Sequence, residues 1–504
     1  MTLEEHFRPY RDNIIGQGQE FDSPCGRQRI LYADWTASGR LYAPIEQIIR
    51  DEIAPLVGNT HTETTVTGTT MTRAYHEALR VIRHHVRASA EDVVICQGSG
   101  MTGVVNKFQR ILGLRIHERF RGQVRLPETE RPVVFVSHME HHSNQTSWIE
   151  TLGDVVVIAP DAAGLVDLSD LRRLLEKYAA RTTKIAAVTA CSNVTGILTP
   201  GHEIASLLHA AGGLCFVDFA CCAPYVDIDM HPAGRPGAHF DAIYFSPHKF
   251  LGGPGSSGVL VFNKALYHNQ VPDQPGGGTV DWTNPWGGRK YFDDIEARED
   301  GGTPGFLQAI RTALCLRVKE AMGVAKMRAR EEELLAILWP GLQRVPGLHL
   351  LADGLPRRLP ILSFYVDGLH YNLAVRLLND RFGVQTRGGC SCAGTYGHYL
   401  LHVSPRHSKS ITDRIDHGDK SDKPGWVRLS VHPTTSDAEA HSLVRAVTAV
   451  AAHFREWGKD YTYDPHTNEF AHRAATTDAI GRQVQGWFGR FAPGTAGLNP
   501  VPPQ

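Results

Sequence analysis

The sequence predicts an α/β protein: a large domain built on a mostly parallel sheet, followed by a smaller C-terminal α/β domain. Three observations carry this reading. Short β-branched runs alternate with amphipathic stretches from about residue 90 to 262, several of those runs end in polar residues, and a second alternation starts near residue 358. Strands that alternate with helices at this spacing build βαβ units, whose crossovers favour parallel pairing. The expected strands are VVIC (93–96), VVFVS (133–137), VVVI (155–158), IAAVTA (185–190), LCFVD (214–218), AIYFS (242–246) and GVLVF (258–262). Helical spacing lies between them in LSDLRRLLEKYA (168–179) and GHEIASLLHAAG (201–212). Residues 265–305 are rich in Gly, Pro and Trp and read as an irregular loop, with a helical stretch following over about 306–340. ILSFYV, NLAVRLLNDRF and GVQTR, then WVRLSV (426–431) and the helix 436–454, make the second unit. The polar stretch 402–425 reads as an exposed insertion. The expected division is an N-terminal segment (1–44) packing with the small domain, a large domain (45–320), a small domain (321–470) and a loosely held tail (471–504).

Composition narrows the function classes. With 52 basic and 53 acidic side chains the formal net charge is −1, so no global field draws the chain to nucleic acid or anionic lipid. Counting glycine and leaving out tyrosine, about 49% of the 504 residues are apolar, ample for a large core without disulfide staples. Nine cysteines, odd in number and unevenly spaced, argue against a secreted disulfide framework. The opening MTLEEHFRPYRDN has no apolar signal-peptide core, and no run reaches the ~18–20 apolar residues of a membrane span. The expectation is a cytoplasmic protein with free thiols and with neither nucleic acid nor membrane as partner.

Two segments match G-x-G-x-x-G. Gly98, Gly100 and Gly103 follow a strand and open a helix, where backbone N–H groups and the helix dipole suit a phosphate. The crowding of Ser99 and Thr102 in that turn suits a phosphate monoester better than a dinucleotide pyrophosphate, leaving an NAD-dependent dehydrogenase as a weaker alternative. Gly253, Gly255 and Gly258 lie between two strands and point to conformational need beside Lys249. That lysine follows an apolar strand in a stretch without other charge, and burying its ammonium is costly unless it is consumed chemically or its pKa falls. A Schiff base with an aldehyde cofactor consumes it. Asp218 ends another strand, where a carboxylate can hold a pyridinium N–H. Together these three points form a cradle for pyridoxal 5'-phosphate (PLP).

Over roughly residues 30–455 the chain resembles the fold-type I PLP-dependent enzymes of the class V aminotransferase family, most closely the cysteine desulfurase and selenocysteine lyase branch. YADWTASGR (32–40) is similar to the family's opening segment, and SGMT (99–102) to its phosphate turn, which implies Met101 and Thr102 as phosphate contacts. MEHHSN (139–144) implies His141 stacked on the cofactor ring, and CSNVTGILTP (191–200) implies Asn193 near the pyridine hydroxyl and the substrate. VDFAC (217–221) supplies Asp218, and FSPHK supplies Ser246, His248 and the Schiff-base Lys249. GGTPGF (301–306) implies that Thr303 reaches the phosphate of a neighbouring subunit, hence a homodimer with shared active sites. WVRLS (426–430) implies that Arg428 pairs with a substrate carboxylate.

RGGCSCA (387–393) places Cys392 on the catalytic cysteine of the desulfurases, in a glycine-rich loop read as mobile. The implied reaction removes sulfur from L-cysteine by way of a Lys249 aldimine and a Cys392 persulfide, leaving alanine, with His141 giving acid/base help and a sulfur-acceptor protein as a further partner. Other class V chemistry (transamination, epimerisation or β-elimination) and a non-catalytic PLP-binding protein stay open. Two thiols at Cys390 and Cys392 fall short of a structural zinc set, and the cluster His138, Glu140, His141 and His142 lacks H-E-x-x-H spacing, so no metal ligand is assigned. One departure stands beside the cofactor: Cys221 occupies the position where the family usually has glutamine, and a thiol is a weaker hydrogen-bonding group.

Overall fold

The computed structural model describes residues 1–474 and 478–490. The seven expected runs are the strands of one sheet: β1 (Asp92–Gln97), β2 (Val133–Ser137), β3 (Asp154–Ile158), β4 (Lys184–Thr189), β5 (Leu214–Asp218), β6 (Ala242–Phe245) and β7 (Gly258–Asn263). Their order is β1-β7-β6-β5-β4-β2-β3. β2 to β6 pair in parallel, and β7 is antiparallel to both β1 and β6. Because β7 is inverted between two strands of like direction, β1 ends on the same edge of the sheet as β5 and β6. Alternate residues feed two cores, Val94 and Cys96 on one face and Val93 and Ile95 on the other. Burial on both faces explains why these strands read as continuous apolar runs rather than alternating ones.

A second sheet holds β8 (Leu348–Leu350), β9 (Ile361–Val366), β10 (Arg387–Gly389) and β11 (Trp426–Ser430) in the order β8-β9-β11-β10, antiparallel throughout. Helices Tyr371–Phe382 and Asp437–Trp457 cover it, with Leu362, Leu377, Leu429 and Leu443 in their shared core. A reciprocal cap between Ser436 and Glu439 starts the longer helix. The N-terminal segment adds strand Leu31–Tyr32 in parallel to Val384–Gln385, and Ser430 N donates to Ala33 O at 2.8 Å. It then crosses to the large sheet, where Gly39 N donates to His248 O at 2.9 Å. A side chain on Gly39 would collide with the Phe250 carbonyl, so glycine alone permits this crossing beside Lys249.

Several irregular readings are corrected. Residues 265–305 include a hairpin, Val280–Thr283 with Arg289–Tyr291, and a helix Ile295–Glu299 capped by Asp294. The long helical stretch breaks at Gly323, whose φ of +79° separates helices Phe306–Met322 and Val324–Gln343. The insertion 402–425 is exposed but contains helix Pro405–Asp416, with Ser404 as N-cap and proline in its first turn. Within the expected tail lies helix Ala479–Gly489, while residues 491–504 fall outside the described residues. Among the described residues no helix is long and apolar enough to cross a membrane.

Candidate active site

A cavity of about 490 Å³ opens at the carboxyl edge of the large sheet, against the small domain. This is the edge where ligands bind in open α/β sheets, and the volume is that of a small-molecule site. Every expected site residue lines it except Thr303: Met101, Thr102, His141, Asn193, Asp218, Ser246, His248, Lys249, Cys392 and Arg428. Thr303 lies elsewhere, its hydroxyl donating to Asn59 Oδ1 at 3.2 Å.

The turn after β1 leads into helix Met101–Ile111, whose N-cap Gly100 has no side chain to offer. Ser246 Oγ, at the end of β6, accepts from Met101 N at 2.8 Å, and Thr102 Oγ1 shares a hydrogen bond with Ser143 Oγ at 2.7 Å. A first turn without an acidic cap, lined by hydroxyls, favours an anion. The second glycine segment serves close approach and turning. A Cβ on Gly253 would overlap the Pro247 carbonyl, and Gly255 has φ +91°.

Asp218 Oδ1 accepts from Ala220 N at 2.8 Å, and its other carboxylate oxygen has no hydrogen-bond partner among the described residues. Burial pushes this carboxyl up to about 6. Lys249 sits on the short turn after β6, and its Nζ has no hydrogen bond or ion pair among the described residues. Burial pulls its pKa below the usual lysine value, against the opposing pull of Cys221 and Asp218. His141 caps helix His142–Ile149, its Nδ1 accepting from Ser143 N at 3.1 Å, so the neutral ring carries its proton on Nε2. Burial, then the neighbouring Lys249 charge, lowers His141 to about 3, and the same two causes lower His248 to about 4. Beneath them, Glu140 binds the backbone N–H groups of Ser137 and Thr189, tying β2 to β4 under the His141 turn.

Arg428, on β11, brings the small domain into the cavity. Its Nη2 donates to Asp34 Oδ1 at 2.9 Å and its Nη1 to Asn193 O at 3.1 Å, while its buried Nε has no hydrogen-bond partner among the described residues. Asn193 Nδ2 donates to Ser391 O at 2.7 Å, and its buried Oδ1 likewise has no hydrogen-bond partner among the described residues. Cys221 lines the cavity floor beside the fully buried Cys191 and Cys222. A hydrogen bond from Cys191 draws the Cys221 thiol below the ordinary range, and burial pushes Cys191 up.

The cysteine loop is tied down by hydrogen bonds. Ser391 and Cys392 both have positive φ, at +51° and +55°, a conformation costing of order 1–2 kcal/mol per non-glycine residue. Four contacts hold it: His142 N to Cys392 O at 2.7 Å, Asn193 to Ser391 O, Trp426 Nε1 to Ser391 Oγ at 3.2 Å, and Gly394 N to His142 Nε2 at 2.9 Å. The turn leaves Cys392 exposed at the cavity.

Sequence reasoning missed four lining or supporting residues: Asp34, Ser143, Arg387 and Lys423. Asp34 stands in the quoted YADWTASGR motif and pairs with both Arg428 and Arg387, the latter at 3.0 Å. Lys423 comes from the insertion, which therefore reaches the cavity mouth. No local pattern marks Asp34, Ser143 or Arg387, because each acts through a partner distant in sequence. The dehydrogenase alternative loses its ribose acid: Glu140, beyond β2, is committed to Ser137, Asn144 and Thr189.

The site suits PLP. Its donor set fits that cofactor: an Asp218 oxygen could hold the pyridinium, Asn193 Oδ1 is unpartnered among the described residues, the N-terminus of helix Met101–Ile111 could take the phosphate, and Lys249 Nζ could take the aldehyde.

The chain belongs to the class V aminotransferase family, whose pattern, described as "Aminotransferase class-V", matches residues 31–443. It is similar to several named proteins. A protein of Halalkalibacterium halodurans named "Probable cysteine desulfurase" is 26% identical over 377 residues, covering 74% of this chain and 86% of its own. A cysteine desulfurase from Thermococcus onnurineus has the same fold, with a TM-score of 0.70 and 20% identity over 90% of this chain and 99% of that one. A cysteine desulfurase from Escherichia coli superposes with a TM-score of 0.67, at 20% identity and the same coverage.

Proposed function

We propose that this chain is a PLP-dependent cysteine desulfurase, taking sulfur from L-cysteine onto Cys392 and leaving alanine. One observation carries the reading: an unpaired lysine amine, a carboxylate at a strand end, a buried arginine and an exposed cysteine share one cavity. When bound, PLP supplies an electron sink for charge developing at the substrate α-carbon.

The chain's own residues do the rest. Thr102 and the first turn of helix Met101–Ile111 hold the phosphate, Asp218 holds the ring nitrogen as its ion-pair partner, and His141 covers the ring. Arg428, held by Asp34 and Asn193, receives the substrate carboxylate and so sets which bond at the α-carbon faces Lys249. Burial keeps a fraction of Lys249 as the neutral amine, able to take the α-proton at Nζ and return it. The neutral His141 Nε2–H serves as a hydrogen-bond donor near neutral pH rather than as an imidazolium acid. Cys392 Sγ attacks the substrate sulfur. An S–S bond forms, the substrate carbon–sulfur bond breaks with its electron pair staying on carbon, and reprotonation gives alanine and a Cys392 persulfide. The exposed turn would then present that persulfide to an acceptor protein or a reductant.

In this reading residues 45–320 hold the cofactor and 321–470 supply Arg428 and Cys392. Thr303 completes the phosphate site of a partner subunit in a homodimer. Nine free cysteines fit a reducing, cytoplasmic setting. The test is incubation of the purified yellow protein with L-cysteine and a reductant, quantifying sulfide and alanine together. Equal amounts are expected. Pyruvate, or a keto product without sulfide, overturns the desulfurase reading in favour of another class V activity.

A further inference from the structure

The insertion 402–425 carries none of the family motifs, yet it ends beside the cysteine loop. Its helix Pro405–Asp416 is tethered to helix Gly394–Leu400, where His398 Nε2 and Ser408 Oγ share a hydrogen bond at 2.8 Å. The turn after that helix docks on the hairpin Tyr461–Asp464 with Glu469–His472. There Lys420 N donates to Pro465 O at 3.0 Å, and Gly418 O lies 2.8 Å from His466 Nδ1. Arg414 staples the same turn, its Nε donating to Asp419 Oδ2 at 3.2 Å and its Nη2 to Ser421 Oγ at 2.9 Å, with Asp422 as a further partner. Lys423 N then donates to Lys420 O at 3.0 Å, and Pro424 follows.

From there the chain passes tightly against the cysteine loop. A Cβ on Gly425 would stand 2.6 Å from the Tyr371 ring and 2.9 Å from Gly389 Cα, so only glycine fits the gap. Gly389 lies three residues before Cys392 and pairs with Trp426 in the β10–β11 ladder. This approach puts the exposed Lys423 on the cavity that Cys392 also lines. Burial, and then the Lys423 charge, lower the pKa of His142, whose backbone N–H holds Cys392 O. Among the described residues the Lys423 ammonium has no hydrogen bond or ion pair, since the nearby Asp419 and Asp422 are both taken by Arg414. Arg387, also exposed, lines the same cavity and shares one carboxylate, Asp34, with Arg428. Among the described residues Asp218 is the one acid lining the cavity, and it is buried at the end of β5. The mouth beside Cys392 is therefore cationic.

We propose that Lys423 is a specificity-determining residue for the sulfur acceptor, and that this acceptor is a small anionic thiol, one carrying a carboxylate as well as its sulfhydryl. The inference rests on the desulfurase reading, because it needs a persulfide on Cys392. In the transfer the acceptor thiolate attacks the outer sulfur of that persulfide. A new S–S bond forms, the bond from Cys392 Sγ to the outer sulfur breaks with its electron pair staying on Sγ, and the proton stays on the transferred sulfur. Negative charge thus passes from the acceptor to Cys392 while the acceptor's carboxylate is close by. An unpaired ammonium at the mouth offsets that repulsion, and it repels a cationic thiol. Because Lys423 is exposed, the result is a preference among acceptors, not an absolute requirement. Its place on a concave cavity suits a small molecule better than a flat acidic protein face.

The test uses the full-length, cofactor-loaded protein, treated with L-cysteine and then freed of it, so that Cys392 carries one extra sulfur by mass spectrometry. Decay of that species is followed with mercaptopropionate, mercaptoethanol and cysteamine, which are anionic, neutral and cationic near neutral pH. Lys423→Met, at an exposed side chain, is expected to slow transfer to mercaptopropionate by about two- to fivefold relative to mercaptoethanol and to speed transfer to cysteamine. Lys423→Arg is expected to keep the original order. Equal changes with all three thiols, or no change, overturn this inference while leaving the desulfurase reading intact. A protein that never gains the extra sulfur overturns both. Alkylation of Cys392 needs no turnover: the rate with iodoacetate relative to iodoacetamide, read by peptide mass, is expected to fall by about two- to fivefold in Lys423→Met. An unchanged ratio overturns the assignment of that charge to the mouth.

Discussion

Replacing Arg428 with lysine separates substrate recognition from mere structural support. The guanidinium spends Nη2 on Asp34 and Nη1 on Asn193 O, and its Nε is buried without a partner, so a substrate carboxylate meets a donor fork already aimed. Lysine keeps the positive charge and can still answer Asp34, but its single nitrogen cannot also present a second, parallel N–H to the substrate. Losing one charge-assisted hydrogen bond is worth about 1.5–3 kcal/mol, which is about 10- to 150-fold in kcat/KM. The assay compares sulfide released in the presence of a reductant from L-cysteine and from its methyl ester, which lacks the carboxylate charge. The variant is expected to lose about 10- to 150-fold on the acid and little on the ester, so the preference for the free acid collapses. Equal losses on both substrates would show that Arg428 only braces Asp34 and Asn193, and would refute its role at the carboxylate.

Cys392→Ala should abolish sulfide and alanine formation while leaving the visible cofactor band; retained turnover would move the chain to another class V activity. Asp218 is lifted from 3.8 to about 6 by burial, so the folded chain binds more protons than the unfolded one between those values. Stability of the cofactor-free protein therefore falls as pH rises through that window, by on the order of 3 kcal/mol. Asp218→Asn should remove this slope in denaturant unfolding between about pH 4 and 6 and raise stability near neutrality while weakening cofactor binding; lower stability there contradicts the burial argument. Thr303→Ala should speed loss of the cofactor, read by absorbance, although Thr303 is not in its own chain's cavity; no change would refute the shared site. Glu299 Oε2 lies 2.6 Å from the buried Lys107 ammonium, with Asp273 at 3.5 Å. Glu299→Gln should cost about 3 kcal/mol in unfolding free energy, and adding Lys107→Met should recover most of it; no recovery would show that the cost is not the stranded charge.

Much of the fold was legible because its signals are local. The large-sheet strands announce themselves by continuous β-branched runs, since burial on both faces demands apolar residues at every position. Likewise Lys249 and Asp218 stood out as single charges at the ends of such runs, where the cost of burying them calls for a chemical reason. The helix Pro405–Asp416 was readable too, from Ser404 and Pro405, yet its polar composition masked it as a loop. The hairpin Val280–Thr283 with Arg289–Tyr291 was hidden the same way by its glycines and prolines.

By itself the sequence determined the strand alternation, the family motifs and ten of the residues that line the cavity. Only the tertiary structure decided what those side chains are free to do. It ties the Cys392 turn to His142, Asn193 and Trp426, commits two donors of Arg428 to Asp34 and Asn193, and leaves Asn193 Oδ1 and Arg428 Nε open. It also brings Lys423, from the insertion, to the cavity that Cys392 lines. The reason is physical: periodicity and composition report burial, a local property, whereas hydrogen-bond partnership depends on which distant backbone and side-chain atoms the packed layers bring within 3 Å of one another.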